Sequence, residues 1–265
     1  MAGLGFQGSG APLSDSGLAA VANRISVGAP EIWTVMAVET SGCGYLPDRR
    51  PQILFERHIF HKLTGGQFDD GDISDPTPGG YGPRGAAQYD RLARAMAKDR
   101  SAALQSASWG LGQIMGMNFR SAGFSNVEDM TAAMSASEDQ QLLAMANFLK
   151  STGLATPLAM HNWAAFARGY NGPNFAINRY DVKLNGEFQK FSTVGVPDLN
   201  ARAAQLYLTY LGFHPGTIDG VAGQHTLDAL AQFQAKNGIP PSTTIDNRCL
   251  AQLQAGLTTA LAAGA

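Results

Sequence analysis

The sequence predicts a mainly α-helical protein, in which a larger helical domain with a small β element is followed by a small three-helix domain. Apolar residues recur at three- and four-residue spacing along most of the chain, which is typical of helices. Residues 53–58 instead have the β-branched and aromatic composition of a strand. Residues 193–197 contain Gly and Pro and interrupt the helical pattern, so they are predicted to link the two domains.

Composition restricts the class of protein. The chain has 265 residues, of which 45% are hydrophobic, so it can bury a sizeable core in one or two domains. Its net charge of −2 argues against a nucleic-acid-binding protein, which usually has a strongly basic face. No stretch approaches the roughly 18 consecutive apolar residues of a membrane span, so we expect no membrane insertion.

The cysteines and the N-terminus indicate where the chain folds. Cys43 and Cys249 lie far apart, so a disulfide framework is not expected and a reducing cytoplasm is favoured. Residues 1–13 are rich in glycine and are predicted to be flexible. They show no basic segment followed by an apolar one, so we see no secretory signal.

One short helix, residues 31–42, organises the rest of the prediction. Ile32, Val35 and Met36 form its apolar stripe, and Glu39 occupies the next position of that stripe. The other faces are apolar as well, so the helix is predicted to be buried almost all round. Burial and the negative end of the helix dipole both raise the pKa of a carboxyl group, as a general acid requires. Alternatively, Glu39 pairs with a nearby arginine such as Arg49 or Arg50.

The remaining elements of the larger domain, residues 14–192, are predicted from the spacing of apolar residues and from the Gly, Pro and capping residues at helix ends. A helix capped by Asp15 or Ser16 precedes the helix of Glu39. In order after residue 58, we predict a long loop at 64–85, a helix from 86, a glycine-punctuated segment at 106–119, a helix at 142–149, a helix from 157 to about 172, and a helix at about 178–191. Ser137 and Gln140 are predicted to form a capping box for the helix at 142–149.

The smaller domain, residues 198–257, is predicted to contain three helices and a tight turn. Asp198 caps the first helix, residues 215–220 form the turn, and residues 226–237 form an amphipathic second helix. A last short helix holds Leu250 and Leu253, and residues 258–265 are left as a C-terminal tail.

The larger domain contains three motifs whose order along the chain is informative about its family. They read Glu39-Thr-Ser-Gly42, Ser108-Trp-Gly-Leu-Gly-Gln-Ile-Met115 and Ala167-Arg-Gly-Tyr-Asn-Gly172. Together they resemble the lysozyme-like superfamily, in particular soluble lytic transglycosylases and goose-type lysozymes. The segment Pro51-Gln-Ile-Leu-Phe-Glu-Arg-His58 with the long loop after it is similar to the N-acetylmuramidase domain of phage endolysins. The resemblance implies a lysozyme-like fold and cleavage of a glycan.

The resemblance also implies roles for individual residues. Glu39 would donate a proton to the leaving oxygen of the glycosidic bond. Gln113 would bind sugar hydroxyls or the N-acetyl group, although a polar residue at a surface is the alternative. Tyr170 and Asn171 would line the cleft beside Glu39, and Asn171 also suits a helix C-terminus. Pro173 after the last motif departs from the family pattern.

A second catalytic carboxylate is harder to assign. Glycosidases usually need a partner about 5 Å from the acid, or a base about 6.5 to 9.5 Å away. Glu56 is one candidate, although its neighbours Phe55 and Arg57 favour an ion-paired structural role. The other candidates are carboxylates of the long loop, which more often are solvated turn residues: Asp69, Asp70, Asp72 and Asp75. We predict that Glu39 acts alone.

Metal and thiol chemistry are not expected. The acidic run at 69–72 lacks the twelve-residue loop of a calcium site. His58, His61 and His161 lack the spacing of a zinc site. Cys43 stands alone in a turn, where a thiol is usually inert. The sequence therefore predicts neither a metal nor a cofactor.

Four segments of the smaller domain resemble the three-helix peptidoglycan-binding domain. They are residues 216–220, 223–226, 229–234 and 237–239. Most of this motif is structural, since Asp219 and Gly220 suit a turn and Phe233 suits a core. The resemblance implies that bacterial peptidoglycan is the partner, and tethering would raise the local concentration of the catalytic domain on it.

We therefore expect an endolysin that cleaves the bond between N-acetylmuramic acid and N-acetylglucosamine. It would be a monomer, held in the host cytoplasm before lysis and then acting on the cell wall. A lytic transglycosylase and a non-catalytic wall-binding protein are the alternatives.

Overall fold

A computed structural model describes residues 5–40, 43–68 and 70–263. Helices dominate these residues, with one small sheet, and this confirms the predicted fold class. The helices are α1 Asp15–Ile25, α2 Ala29–Thr40, α3 Arg57–Leu63, α4 Ala87–Met96, α5 Arg100–Gln105, α6 Val127–Ala136, α7 Glu138–Ser151, α8 Ala155–Ala159, α9 Trp163–Tyr170, α10 Tyr180–Thr193, α11 Leu199–Tyr210, α12 Gln224–Lys236 and α13 Asn247–Ala263. The strands are β1 Ile53–Phe55, β2 Ala107–Trp109 and β3 Ile114–Met115, and short 3₁₀ helices cover Gly116–Asn118 and Phe175–Asn178.

The sheet is a three-stranded antiparallel one with β2 in the centre. Ile53 pairs with Trp109, which in turn pairs with Ile114. The indole of Trp109 is fully buried and donates a hydrogen bond to the Leu104 carbonyl. This contact anchors the sheet to the end of α5.

Helix α2 crosses the core, as its sequence predicts. Residues 32–36 are all buried, and the helix packs against α10 on one side and α1 on the other. Thr34 is the polar residue of this run, and its hydroxyl donates a hydrogen bond to the Pro30 carbonyl at 2.7 Å. Residues 41 and 42 lie outside the described part of the chain, so the predicted stop at Gly42 is not assessed.

Local signals placed several other helix ends correctly. The Ser137 side chain accepts the Gln140 backbone N–H at 3.2 Å, as the capping box requires, and Asp198 accepts the Ala201 N–H at 2.7 Å. The first helix is capped by Ser14, and not by the predicted Asp15 or Ser16. The strand predicted over residues 53–58 is shorter, because β1 ends at Phe55 and α3 begins at Arg57.

The prediction of a flexible N-terminus is wrong for residues 5–13. Phe6 and Leu13 are buried, and the Phe6 ring lies 5.3 Å from that of Trp109. The backbone of Ala11 bridges to Ser137. Glycine composition suggested mobility, but two apolar side chains give this segment enough buried area to hold it on the core.

Two predicted helix limits are also wrong. The helix expected from 157 to about 172 is two helices, α8 and α9, because His161 adopts a left-handed conformation with φ of 53°. The C-terminal tail expected from residue 258 is helical as far as Ala263. Its exposed Thr and Ala residues extend α13 beyond the buried Leu257.

The two domains are joined by a buried ion pair. Arg202 of α11 and Glu138 of α7 are both fully buried, and their side chains form a two-point contact. The Arg202 guanidinium also lies 5.6 Å from the ring of Trp33 on α2. The first helix of the smaller domain therefore packs into the larger one.

Candidate active site

A cavity of about 390 Å³ opens at the C-terminal end of α2. Its walls come from α2, β1, the β2–β3 turn, the loop before α4 and the first residue of α10. The lining residues are Glu39, Thr40, Gln52, Ile53, Leu54, Arg84, Gly85, Ser108, Gln113 and Tyr180. The cavity thus brings together parts of the chain that are separated by up to about 140 residues.

Glu39 is the carboxylic acid of this cavity. Burial raises its pKa to about 7, against the smaller opposing effect of a hydrogen bond from Asn171. The alternative pairing with arginine does not occur, because Arg49 donates to the Gly8 carbonyl and Arg50 pairs with Asp48. Glu39 therefore holds its proton near neutral pH and faces a sugar-sized space.

Asn171 holds the carboxyl group in place. Its Nδ2 donates to Glu39 Oε1 at 2.9 Å. Its backbone N–H donates to the Ala167 carbonyl at 2.8 Å, so the residue also ends α9. Of the two roles considered for Asn171, the helix end is present in the structure, whereas the residue contacts Glu39 without lining the cavity itself.

Tyr170 supports the site from behind. Its hydroxyl donates to the Gly112 carbonyl, and its ring stacks on Phe166 with 5.3 Å between centroids. Burial, and to a lesser extent the charge of Glu39, raise the pKa of this phenol. Tyr170 is not part of the cavity lining, so its contact with the β2–β3 turn fixes the wall rather than offering a surface to a sugar.

Gln113 lines the cavity from the β2–β3 turn. Its backbone is left-handed, with φ of 46°, and its Oε1 accepts the Ser108 hydroxyl at 2.8 Å. Its Nε2 donates to the carbonyls of Gly110 at 2.9 Å and Gln52 at 3.3 Å. Both amide protons are used by backbone carbonyls of the protein, so a sugar donor group is left with only the side-chain oxygen as a partner.

Glu56 does not share the cavity with Glu39. It sits at the start of α3, with Oε2 3.2 Å from Nδ1 of His58. Burial raises the pKa of Glu56, and the charges of His58 and Arg91 and a hydrogen bond from Tyr81 oppose that effect. These surroundings fit the ion-paired structural role.

The loop carboxylates are engaged elsewhere. Asp70 and Asp72 both pair with Arg94, and Asp75 lies 3.4 Å from Arg57. Asp69 lies outside the described residues. Within the described part of the chain, Glu39 is the sole carboxylate that lines this cavity.

Across residues 5–40, 43–68 and 70–263, no group of three or more His, Cys, Asp or Glu side chains could hold a metal ion. Cys43 and Cys249 are free thiols. Burial, followed by the charge of Glu138, raises the pKa of Cys43 to about 12, which leaves it a poor nucleophile.

Sequence analysis missed two residues of the lining, Arg84 and Tyr180. Arg84 lies in the long loop and Tyr180 begins α10. Tyr180 faces both charged groups, since Glu39 raises its pKa after burial and Arg84 lowers it. Neither residue belongs to a motif, and the only signal was that a long loop within a compact domain is often functional.

Comparison with known proteins agrees with this geometry. Residues 28–192 match the N-acetylmuramidase family, and residues 198–253 match a peptidoglycan binding domain. The chain belongs to the N-acetylmuramidase family. The crystal structure of the Burkholderia AP3 phage endolysin is similar, at 37% identity and a TM-score of 0.63, over 69% of this chain and 71% of that one. No curated protein matches the chain.

The family assignment fixes the class of reaction. The N-acetylmuramidase is a glycoside hydrolase of the lysozyme type that acts on peptidoglycan. The resemblance to endolysins that combine a muramidase domain with a peptidoglycan-binding domain is confirmed. Among the helices described, none is both long and apolar enough to cross a membrane.

Proposed function

We propose that this muramidase hydrolyses the glycosidic bond between N-acetylmuramic acid and N-acetylglucosamine, with Glu39 as the general acid. The observation that carries the proposal is the position of Glu39, protonated near neutral pH in a cavity of about 390 Å³. A proton donor with a pKa near the working pH is what glycosidic cleavage requires.

The chemical steps follow from the groups around Glu39. The carboxyl proton passes to the glycosidic oxygen as the bond to the anomeric carbon breaks, which leaves an oxocarbenium-like sugar and a Glu39 carboxylate. The Asn171 amide, 2.9 Å from Oε1, stabilises the new negative charge. A water molecule then adds to the anomeric carbon and returns a proton to Glu39.

Support for a single-acid reaction comes from the lining. Glu39 is its one carboxylate within the described residues, so the positive charge of the transition state must be stabilised by other means. Water or the acetamido group of the substrate can serve. We propose that no second carboxylate of the chain takes part.

Replacement of Glu39 by Gln tests the proposal. The amide cannot donate an acidic proton, so lysis of purified cell walls should fall by a factor of about 10² to 10⁴. Co-sedimentation with walls should persist, because the smaller domain is unchanged. Glu128→Gln, an exposed carboxylate outside the cavity, is the matched control and should keep full activity. Full activity of Glu39→Gln would refute the assignment.

The products separate a hydrolase from a lytic transglycosylase. A single acid in the cavity is compatible with both, because the sugar's own C6 hydroxyl can replace water as the nucleophile. Mass spectrometry of released fragments should show reducing ends, two hydrogens and one oxygen heavier than anhydro ends. Anhydro-muramic ends would identify a transglycosylase instead.

We further propose that the protein serves as a phage endolysin, kept in the host cytoplasm until lysis and active as a monomer. Its similarity to the AP3 phage endolysin supports this role. Light scattering of the purified chain should give the mass of one copy, 27.9 kDa. Expression without any membrane-permeabilising partner should leave cells intact, whereas external addition to exposed walls should lyse them.

A further inference from the structure

The long loop at 64–85 is anchored to the helices behind it. Its carboxylates and carbonyls are held by three arginines of α3 and α4. Arg57 donates to the Gly71 carbonyl at 2.7 Å, and Arg94 contacts Asp70 at 2.6 Å. Arg91 donates to the Tyr81 carbonyl at 2.9 Å. A glycine-rich loop is thereby kept in one place at the edge of the cavity.

A buried glutamine anchors the end of this loop. Gln88 is fully buried, and its Nε2 donates to the carbonyls of Tyr81 at 2.7 Å and Pro83 at 2.6 Å. Its Oε1 accepts the Phe55 backbone N–H at 2.9 Å. The residue just before Arg84 is therefore tied to β1, one wall of the cavity.

Arg84 itself differs from the arginines that hold the loop. It lines the cavity, and within the described part of the chain its side chain has neither a hydrogen bond nor an ion pair. It is the sole cation among the described lining residues, and its charge acts on Tyr180 in the same cavity. The anchored loop thus presents a guanidinium that is free to bind a ligand.

The substrate class offers one kind of partner for this cation. N-acetylglucosamine is uncharged, whereas N-acetylmuramic acid carries a lactyl group that ends in a carboxylate or continues into a peptide with its own carboxylates. A guanidinium binds a carboxylate through two parallel hydrogen bonds. Glu39 is protonated in the active form, so it does not compete for Arg84.

We propose that Arg84 is a specificity-determining residue, which binds a carboxylate of the lactyl or peptide substituent of N-acetylmuramic acid. This inference rests on the proposed muramidase function. It explains how the cleft can distinguish the two alternating sugars, which share the N-acetyl group and differ at the substituent that bears the acid.

A binding experiment in the inactive Glu39→Gln background tests the proposal without requiring catalysis. Three ligands are titrated by calorimetry: a muramic-acid oligosaccharide with its peptide, the same oligosaccharide without peptide, and a neutral N-acetylglucosamine oligomer of equal length. Adding Arg84→Gln should weaken binding of at least one acidic ligand by about 5- to 20-fold. Binding of the neutral oligomer should not change.

The pattern across ligands identifies the carboxylate. A loss confined to the peptide-free ligand indicates the lactyl group, and a loss confined to the peptide-bearing ligand indicates the peptide. Arg84→Lys should recover part of the affinity, because it keeps the charge but loses the planar fork. Equal losses for neutral and acidic ligands, or no loss for any, would overturn the proposal.

Kinetics of the otherwise wild-type chain add a second readout. Arg84→Gln should raise KM for cell walls while kcat and the midpoint of its pH profile stay constant. The matched control is Arg120→Gln, which removes the same charge from an exposed arginine outside the cavity. If the wild-type chain proved to have no muramidase activity, the calorimetric comparison would still decide whether Arg84 binds a carboxylate of the ligand.

Discussion

Two glutamates of this protein, Glu138 and Glu39, have different roles, and the donors around them explain why. Glu138 accepts hydrogen bonds from the Leu13 N–H at 2.9 Å, the Gly44 N–H at 3.0 Å and both terminal nitrogens of Arg202. Glu39 accepts one from the described residues, namely from Asn171. Burial penalises charge at both places, and at Glu138 the buried guanidinium of Arg202 lies against the carboxylate.

The comparison shows how similar side chains can serve structure or chemistry. Glu138 connects the N-terminal segment, the chain after α2 and the smaller domain through one carboxylate. Burial raises the pKa of Glu39 to about 7, so near neutral pH it keeps a proton that it can transfer. The difference between the two glutamates predicts three measurable effects on stability and activity.

The largest effect is expected from Arg202→Met. It leaves the Glu138 charge buried without its cation, so the free energy of unfolding should fall by about 3 to 5 kcal/mol. Urea denaturation followed by circular dichroism measures the loss. Arg168→Met, which removes an exposed arginine, is the control.

The double variant Glu138→Met with Arg202→Met separates the charge from the packing. Replacing both partners by apolar side chains removes the unpaired charge, so most of the lost stability should return. If the double variant were as unstable as Arg202→Met alone, the remaining contacts of Glu138, and not its charge, would stabilise the packing of the two domains.

A smaller effect, of opposite sign at the two glutamates, is expected from Gln substitutions. The folded-state pKa of Glu39, about 7, lies above its value of 4.5 in the unfolded chain, so ionisation costs stability as the pH rises between these values. At pH 8, Glu39→Gln should therefore stabilise the fold by about 1 to 2 kcal/mol, allowing for partial exposure.

The same substitution should have no such benefit at pH 4, where Glu39 is protonated in both states. Glu138→Gln should destabilise the fold at pH 8, because it removes the partner of a buried guanidinium. Thermal unfolding at the two pH values gives both comparisons. Stabilisation by both substitutions would mean that the two sites do not differ as described.

The smallest effect is expected from Asn171→Ala. The Asn171 hydrogen bond lowers the pKa of Glu39, so its removal should move the alkaline limit of activity upward by up to about one pH unit. Activity of the wild type should decline as the pH rises through about 7, since the acid must be protonated. A downward shift in the variant would contradict this account of Glu39.

Local patterns predicted the parts of the molecule that depend on local forces. The stripe of α2 predicted both its burial and the unusual position of Glu39, and the capping residues Ser137 and Asp198 marked true helix starts. Asn171 was singled out through its motif, and it lies at the C-terminal end of α9 beside Glu39.

The missing parts depend on contacts between distant segments. Arg84 reaches the cavity because Gln88 fixes a loop that the sequence shows only as Gly- and Pro-rich. Glu138 directly follows the capping residue Ser137, and Arg202 lies near the start of α11. Charged side chains at such places are usually solvated, so nothing local indicates that the two meet. Phe6 lies in a glycine-rich segment, and its burial depends on Trp109 a hundred residues later.

The Arg202–Glu138 pair also limits how the enzyme can travel. A flexible linker would allow the catalytic domain to reach many glycan strands while the binding domain stayed bound at one place on the wall. Here α11 of the smaller domain packs beside α2 of the larger one, through the Arg202–Glu138 pair. We therefore expect the catalytic cavity to lie at a set distance from the wall-binding domain, so that the enzyme must dissociate from the wall before it cleaves a distant strand.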